Sequence, residues 1–209
     1  MAIEPRVKRA GVFVDGQNLF HAAKEAFGYR YPNFDVACLA QRTCAQHGWI
    51  LESVAFYTGI PDSAYSPFWS HFWTAKLAAM GRNKVRVFTR PLRYHDQLVA
   101  LPSGELRSMK VGQEKGIDVR LALDVISCAR RNMCDVALIM SQDQDLSELA
   151  REVRALSREQ QRWMKIACAF PFSPHSRNQR GIDGTDWIRI DRAMYEGCID
   201  TRDYRPRMP

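Results

Sequence analysis

Three aspartates follow directly on short apolar runs. Asp15 closes Ala10-Gly-Val-Phe-Val14 and begins Asp15-Gly-Gln-Asn18, while Asp143 and Asp145 follow Val136-Ala-Leu-Ile-Met140 within Ser141-Gln-Asp-Gln-Asp145. If these runs are strands of an open parallel sheet, the aspartates lie at the carboxyl edge where such sheets bind ligands. Asp118, in Lys115-Gly-Ile-Asp-Val119, opens a helical stretch just ahead of the second run and faces the same edge. Unpaired carboxylates gathered at one point repel and raise one another's pKa unless a cation holds them together. An all-oxygen set of this kind suits Mg²⁺ or Mn²⁺, and such ions activate water and stabilise the leaving oxygen of a phosphodiester. Each aspartate taken singly reads as a helix N-cap; their joint placement favours chemistry. Asp124 falls six residues after Asp118, about 120° around a helix and about 9 Å along it. It is therefore expected behind the first ligands, as an interior hydrogen-bond partner.

These residues need a framework to bring them together. Further apolar runs at Ile50–Tyr57, Val85–Phe88, Met164–Phe170 and Trp187–Ile190 read as strands buried on both faces, because they are continuous rather than alternating. Helical stretches separate them: Leu19–Phe27, Phe34–His47, Tyr65–Met80, Ile117–Arg131 and Leu146–Leu156. Strand alternating with helix predicts a single doubly wound α/β domain with a mainly parallel sheet flanked by helices. Residues 91–116 have no helical period, and Pro102-Ser-Gly104 there predicts a turn in a β-ribbon. The domain is expected over residues 10–196, between basic tails at 1–9 and 197–209.

The chain has 209 residues, of which 46% are apolar and 25% charged, which excludes a wholly disordered protein. Its net charge of +7 and pI of about 9.3 favour a polyanionic partner. The longest clean apolar run, Val136–Met140, is far too short to cross a bilayer, and no signal peptide is visible. The six cysteines form no CxxC and no zinc spacing with the histidines, so reduced thiols in a cytoplasm are expected.

Basic residues cluster at Arg82, Lys84, Arg86, Arg90 and Arg93, with no acid between them. Lys84 and Arg86 are expected on one side of a strand, with Val85 and Val87 on the other. This surface is either a solvated strand edge or a phosphate-tracking face joined by Lys110 and Lys115, with Tyr94 and His95 stacking on bases. Tyr65, Trp69, Phe72 and Trp73 share one helical stripe, which reads as core first and a homodimer patch second.

Taken in order, Val14-Asp15-Gly16-Gln17-Asn18, then Lys115-Gly-Ile-Asp118 with Leu121 and Asp124, then Ser141-Gln-Asp143-Gln-Asp145-Leu146 resemble the three motifs of NYN domains. These are PIN-like, metal-dependent ribonuclease domains, and the likeness is to their LabA-like bacterial branch. It covers roughly residues 10–190, with Asp186-Trp-Ile-Arg-Ile190 similar to the family's last strand. The resemblance implies that Asp15, Asp118 and Asp143 carry Mg²⁺ or Mn²⁺ with Asp145 beside them. It further implies that Asn18 orients the Asp15 loop or touches phosphate, and that Ser141 is a hydroxyl near the site. The implied substrate is RNA, with single-stranded DNA not separated from it; the alternative is a catalytically silent NYN module that binds RNA or a protein partner. The family commonly has Gly and Phe where this chain has Gln142 and Leu146, and Gln142 is expected to crowd the turn. A response-regulator design needs a phospho-acceptor Asp after the third strand, where Thr89-Arg90-Pro91 stands. A Toprim-like nuclease would have Glu in place of Asp15.

Overall fold

The computed structural model of the chain describes residues 2–100 and 104–206. Six parallel strands form one sheet in the order β3-β2-β1-β6-β7-β8. They are β1 (Lys8–Asp15), β2 (Trp49–Ile60), β3 (Arg86–Pro91), β6 (Val136–Met140), β7 (Lys165–Pro171) and β8 (Asp186–Ile190). From β1 the chain winds outward through β2 and β3, then returns to the other side of β1 for β6, β7 and β8. The winding therefore reverses between β1 and β6, the position where open α/β sheets form their binding crevice. All five residues of β6 are buried, as its unbroken Val-Ala-Leu-Ile-Met run requires.

Helices cover both faces. On one side α1 (Gly16–Phe27), α2 (Val36–Gln46), α3 (Pro67–Arg82) and α6 (Arg192–Glu196) pack on Ala10, Val12 and Val14 of β1. On the other, α4 (Ile117–Arg130) and α5 (Ser147–Glu159) pack on Phe13, with Leu121, Val125, Leu149 and Val153 facing inward. The alternation of β1 side chains between two separate cores is the period-2 geometry of a strand covered on both sides. The expected doubly wound α/β architecture is borne out.

Between β3 and α4 the chain leaves the sheet as an antiparallel ribbon, β4 (Arg93–Ala100) with β5 (Leu106–Gln113). The expected turn at Pro102-Ser-Gly104 lies largely outside the described residues. Phe72 and Trp73 of the aromatic stripe are buried, whereas Tyr65 lies ahead of α3, exposed, with its ring 4.4 Å from that of Tyr94.

The segments read as tails are partly built in. Lys8 and Arg9 begin β1, and Arg9 pairs with Asp135 through its backbone N–H at 2.9 Å and its guanidinium at 3.1 Å. Past α6, Cys198 O accepts from Asp35 N–H and Asp200 N–H donates to Asn33 O, each at 2.7 Å, and Tyr204 is buried. Lys76 anchors this return. Its ammonium donates to Phe34 O at 2.9 Å and lies 3.5 Å from Asp200. Burial pushes its pKa down to about 8 against the opposing pull of Asp200.

Candidate active site

Asp15 is the last residue of β1 and also the N-cap of α1, with its Oδ1 accepting from Asn18 N–H at 3.1 Å. The cap holds its carboxylate at the sheet edge instead of letting it swing into solvent. Gly16 follows because a Cβ there would lie 2.4 Å from the Phe56 ring of the neighbouring strand. Across the switch point, Ser141 follows β6 and its hydroxyl donates to Asp15 Oδ2 at 3.2 Å while accepting from Asp143 N–H at 3.1 Å. Asn18 completes the link: its Oδ1 accepts from Gln142 N–H at 2.8 Å. Asn18 and Ser141 thus tie the end of β1 to the loop after β6.

Asp143 caps the short 3₁₀ turn Gln144–Leu146, its Oδ1 accepting from Asp145 N–H at 3.0 Å. Asp145 is exposed on that turn. Asp118 lies in the first turn of α4, behind Gly116, whose φ of +70° starts the helix in the left-handed region. A Cβ on Gly116 would also stand 2.8 Å from Arg90 Nη1, which places that guanidinium against the start of α4. Arg90 belongs to the end of β3 on the same edge of the sheet.

A fifth carboxylate joins the group. Glu114 follows β5 and turns inward, accepting from Gly59 N–H and from the Thr58 hydroxyl at 3.4 Å. Burial pushes its carboxyl up to about 7, and the charges of Asp15 and Asp118 add to that. Asp15 behaves alike: burial raises its pKa to about 6 against its hydrogen bonds from Asn18 and Ser141, and the charges of Asp143 and Asp118 raise it further. Glu114 is not among the residues singled out from the sequence. A signal was present, since it is an acid just ahead of Lys115-Gly-Ile-Asp118, but the absence of periodicity over 91–116 hid its place.

None of Asp15, Glu114, Asp118, Asp143 and Asp145 forms an ion pair with Lys or Arg among the described residues. A buried carboxylate, Asp15, with partly buried ones near it and no counter-charge suits a hard cation, and the donor set here is oxygen alone. Among the described residues no three acidic, His or Cys side chains are placed so that they could together hold a metal ion. An open set still fits Mg²⁺, which keeps several waters and is held through one or two carboxylates.

Gln142 does not crowd the turn. Its side chain points away from the carboxylates and donates to Arg180 O at 2.8 Å and Asn178 O at 3.4 Å. Gln144 bonds the same loop through Gly181 O at 2.9 Å and Asp183 N–H at 3.1 Å. Leu146 is buried against α5. Asp124 faces elsewhere: it accepts from the Tyr57 hydroxyl at 2.8 Å and pairs with Arg120 at 3.1 Å and Arg86 at 3.6 Å.

The basic segment is divided by the fold. Arg82 ends α3 and Lys84 sits in a left-handed turn (φ +62°), so both lie at the amino end of β3, opposite the carboxylate edge. Lys84 precedes the strand, since β3 begins only at Arg86, but the two side chains line one groove as expected while Val85 and Val87 pack into the core on the other side. Lys110 lies on the ribbon, paired with Asp96 at 2.8 Å, and Lys115 is exposed next to Glu114.

The NYN domain family model matches residues 9–161, which include all three motifs. A crystal structure of a protein of unknown function from Vibrio parahaemolyticus is similar in fold, with 20% identity over 91% of this chain and 97% of its own, and a TM-score of 0.53. The structure of Acinetobacter baumannii MurG matches 87% of this chain and 45% of its own at 6% identity, with a TM-score of 0.33 that supports no argument. No curated protein matches. With the family model spanning most of the chain and the sheet order and motif positions in agreement with it, this protein belongs to the NYN domain family of PIN-like nuclease domains.

Proposed function

We propose that this chain is a divalent-metal-dependent ribonuclease whose reaction centre is the carboxylate edge between β1 and β6. The observation that carries the reading is the placement of the buried Asp15 carboxyl at the switch point, with the half-buried Glu114 beside it at the end of β2, neither with a cationic partner among the described residues. In this reading Asp15, Asp118 and Asp143 hold Mg²⁺ or Mn²⁺, Glu114 adds negative charge from the β5 side, and Asp145 stands beside them. When bound, the ion lowers the pKa of a water and stabilises charge on the phosphodiester. The chain's own groups position the rest. Ser141 and Asn18 fix the Asp15 carboxylate through the hydrogen bonds described above, so that little reorganisation is needed at reaction. Arg90, held against Gly116, supplies a positive charge to a phosphate at the same edge.

The experiment incubates purified protein with single-stranded RNA and single-stranded DNA in Mg²⁺, Mn²⁺ or EDTA, alongside Asp118→Asn and Asp143→Asn. Cleavage of RNA that needs the ion and falls at least 100-fold in both variants is expected. RNA binding without cleavage under every condition would favour the silent binding module instead. Cleavage undiminished in Asp143→Asn would place the reaction elsewhere.

A further inference from the structure

A groove runs beside α4 along the free edge of the sheet. Arg86 at the start of β3 stands on one side and α4 on the other, with Ser53–Ala55 of β2 between them, and the volume is about 370 Å³, within the roughly 300–1,000 Å³ of small-ligand pockets. Four of its side chains are basic, Lys84 and Arg86 from the β3 side and Arg120 and Arg131 from the α4 side, and its single acid is Asp124. Asp124 is already engaged by Arg120, Arg86 and the Tyr57 hydroxyl, so it serves to hold the two guanidiniums in place. Lys84 and Arg131 form no ion pair among the described residues. The groove therefore carries a net charge of +3, from four cations and one anion.

The groove is not isolated from the carboxylate edge. Phe88 of β3 lies beneath two guanidiniums, Arg120 at 5.1 Å and Arg90 at 5.7 Å from its ring. Arg90 in turn rests against Gly116 at the start of α4, two residues before Asp118. Positive charge thus continues from the carboxylate edge, over Phe88, into the groove. Along α4 the groove runs from Arg120, two residues past Asp118, to Arg131 at the far end of the helix, about 20 Å along its axis from Asp118. A repeated anion would meet cations at successive positions there, and a nucleic-acid strand is such an anion.

We propose that the groove between β3 and α4 binds the phosphates of a nucleic-acid strand adjoining the bond cut at the carboxylate edge. The inference rests on the ribonuclease reading for the identity of that bond, but not for the binding itself. Arg120 and Arg131, which no strand-based reading of the basic segment includes, are its α4 half. Lys110 on the ribbon plays no part in it.

The test reads binding without catalysis. A labelled oligouridine is titrated in EDTA onto Asp143→Asn protein and onto the same protein carrying Arg120→Gln with Arg131→Gln, at several salt concentrations. Each lost phosphate contact lowers the slope of log affinity against log salt by about 0.7 for a single strand, so the pair is expected to lower it by about 1.4. Arg120→Lys with Arg131→Lys should restore most of the slope, and Arg151→Gln on α5 should leave it unchanged. A thermal melt checks folding; should the double variant unfold, Arg131→Gln alone is expected to lower the slope by about 0.7. An unchanged slope overturns the proposal. So does a free-nucleotide site, in which uridine monophosphate affinity falls in the double variant while the oligouridine slope stays the same. A lowered slope together with wild-type protein that cleaves no RNA in Mg²⁺ or Mn²⁺ would refute the ribonuclease reading alone, and normal wild-type cleavage with an unchanged slope would refute the groove alone.

Discussion

Replacing Asp15 by Asn should stabilise the metal-free protein at neutral pH. Asp15 is buried, and burial raises its folded pKa to about 6 against an ordinary value of 3.8. At neutral pH both folded and unfolded chains carry the ionised form, so the folded state bears the cost of that charge. Each pH unit between the two values is worth about 1.4 kcal/mol, which sets a ceiling of roughly 3 kcal/mol. In the Asp15→Asn variant the amide oxygen keeps the bond from Asn18 N–H, the amide NH2 donates to the Ser141 hydroxyl where the carboxylate accepted from it, and Asn caps a helix about as well as Asp. A net gain of about 1–2 kcal/mol is expected after allowance for imperfect amide geometry. The pH dependence follows from the sign of the shift. Between pH 3.8 and 6 the folded state holds more proton than the unfolded, so this group's effect is to lower wild-type stability as pH rises through that window. The gap between variant and wild type should open across the window and stay constant above it. Urea unfolding in EDTA at pH 4.5 and pH 7.5 measures it. Mg²⁺ should then raise the wild-type midpoint and leave the variant's nearly unmoved. A variant less stable than wild type at pH 7.5, or a gap equal at both pH values, would refute the reasoning.

Three further outcomes are expected. Asp135 is pushed up by burial, but its bonds to Arg9 and the charges of Arg9 and Arg162 outweigh this and hold its pKa below the carboxylate range; Asp135→Asn should therefore cost about 1–3 kcal/mol at neutral pH. That loss should shrink as pH falls below 3.8, where the unfolded Asp135 takes up its proton before the folded one does, as urea curves at pH 3 and 7 would report. Gly116→Ala places a side chain at φ +70° and displaces Arg90, and should cost about 1–2 kcal/mol by thermal denaturation. Gln142→Ala removes the amide that holds Arg180 O and Asn178 O, so hydrogen exchange should quicken over residues 178–183 with a global loss of about 1–2 kcal/mol.

The strands were legible because a parallel sheet covered on both faces demands unbroken apolar runs, and Val136–Met140 is one. Asp15, Asp118 and Asp143 were legible for a related reason: each stands at the junction of a strand or helix, where chain order alone fixes the edge it faces. Glu114 was not, since its inward turn depends on Gly59 and Thr58 of β2, more than fifty positions earlier. The shared side of Lys84 and Arg86 was legible but the start of the strand was not, because Met80 O accepts from Val85 N–H and Gly81 O from Lys84 N–H, so the end of α3 delays β3 until Arg86. Gln142 resembled an obstruction because the loop it holds has no periodic signature of its own; only the fold brings residues 178–183 to its amide. Tyr204 and Asp200 read as tail by composition, yet Lys76 on α3 supplies the buried charge that draws them in.

The central claim is that a divalent ion sits between the ends of β1 and β6, and a crystal soaked in Mn²⁺ tests it most directly. The account predicts one anomalous peak within bonding distance of at least one carboxylate from Asp15, Asp118 and Asp143, about 2.0–2.2 Å away. The same peak should vanish from crystals of Asp143→Asn. Mn²⁺ absent from this edge at saturating concentration, with the Asp15, Asp118 and Asp143 side chains turned apart, would contradict it.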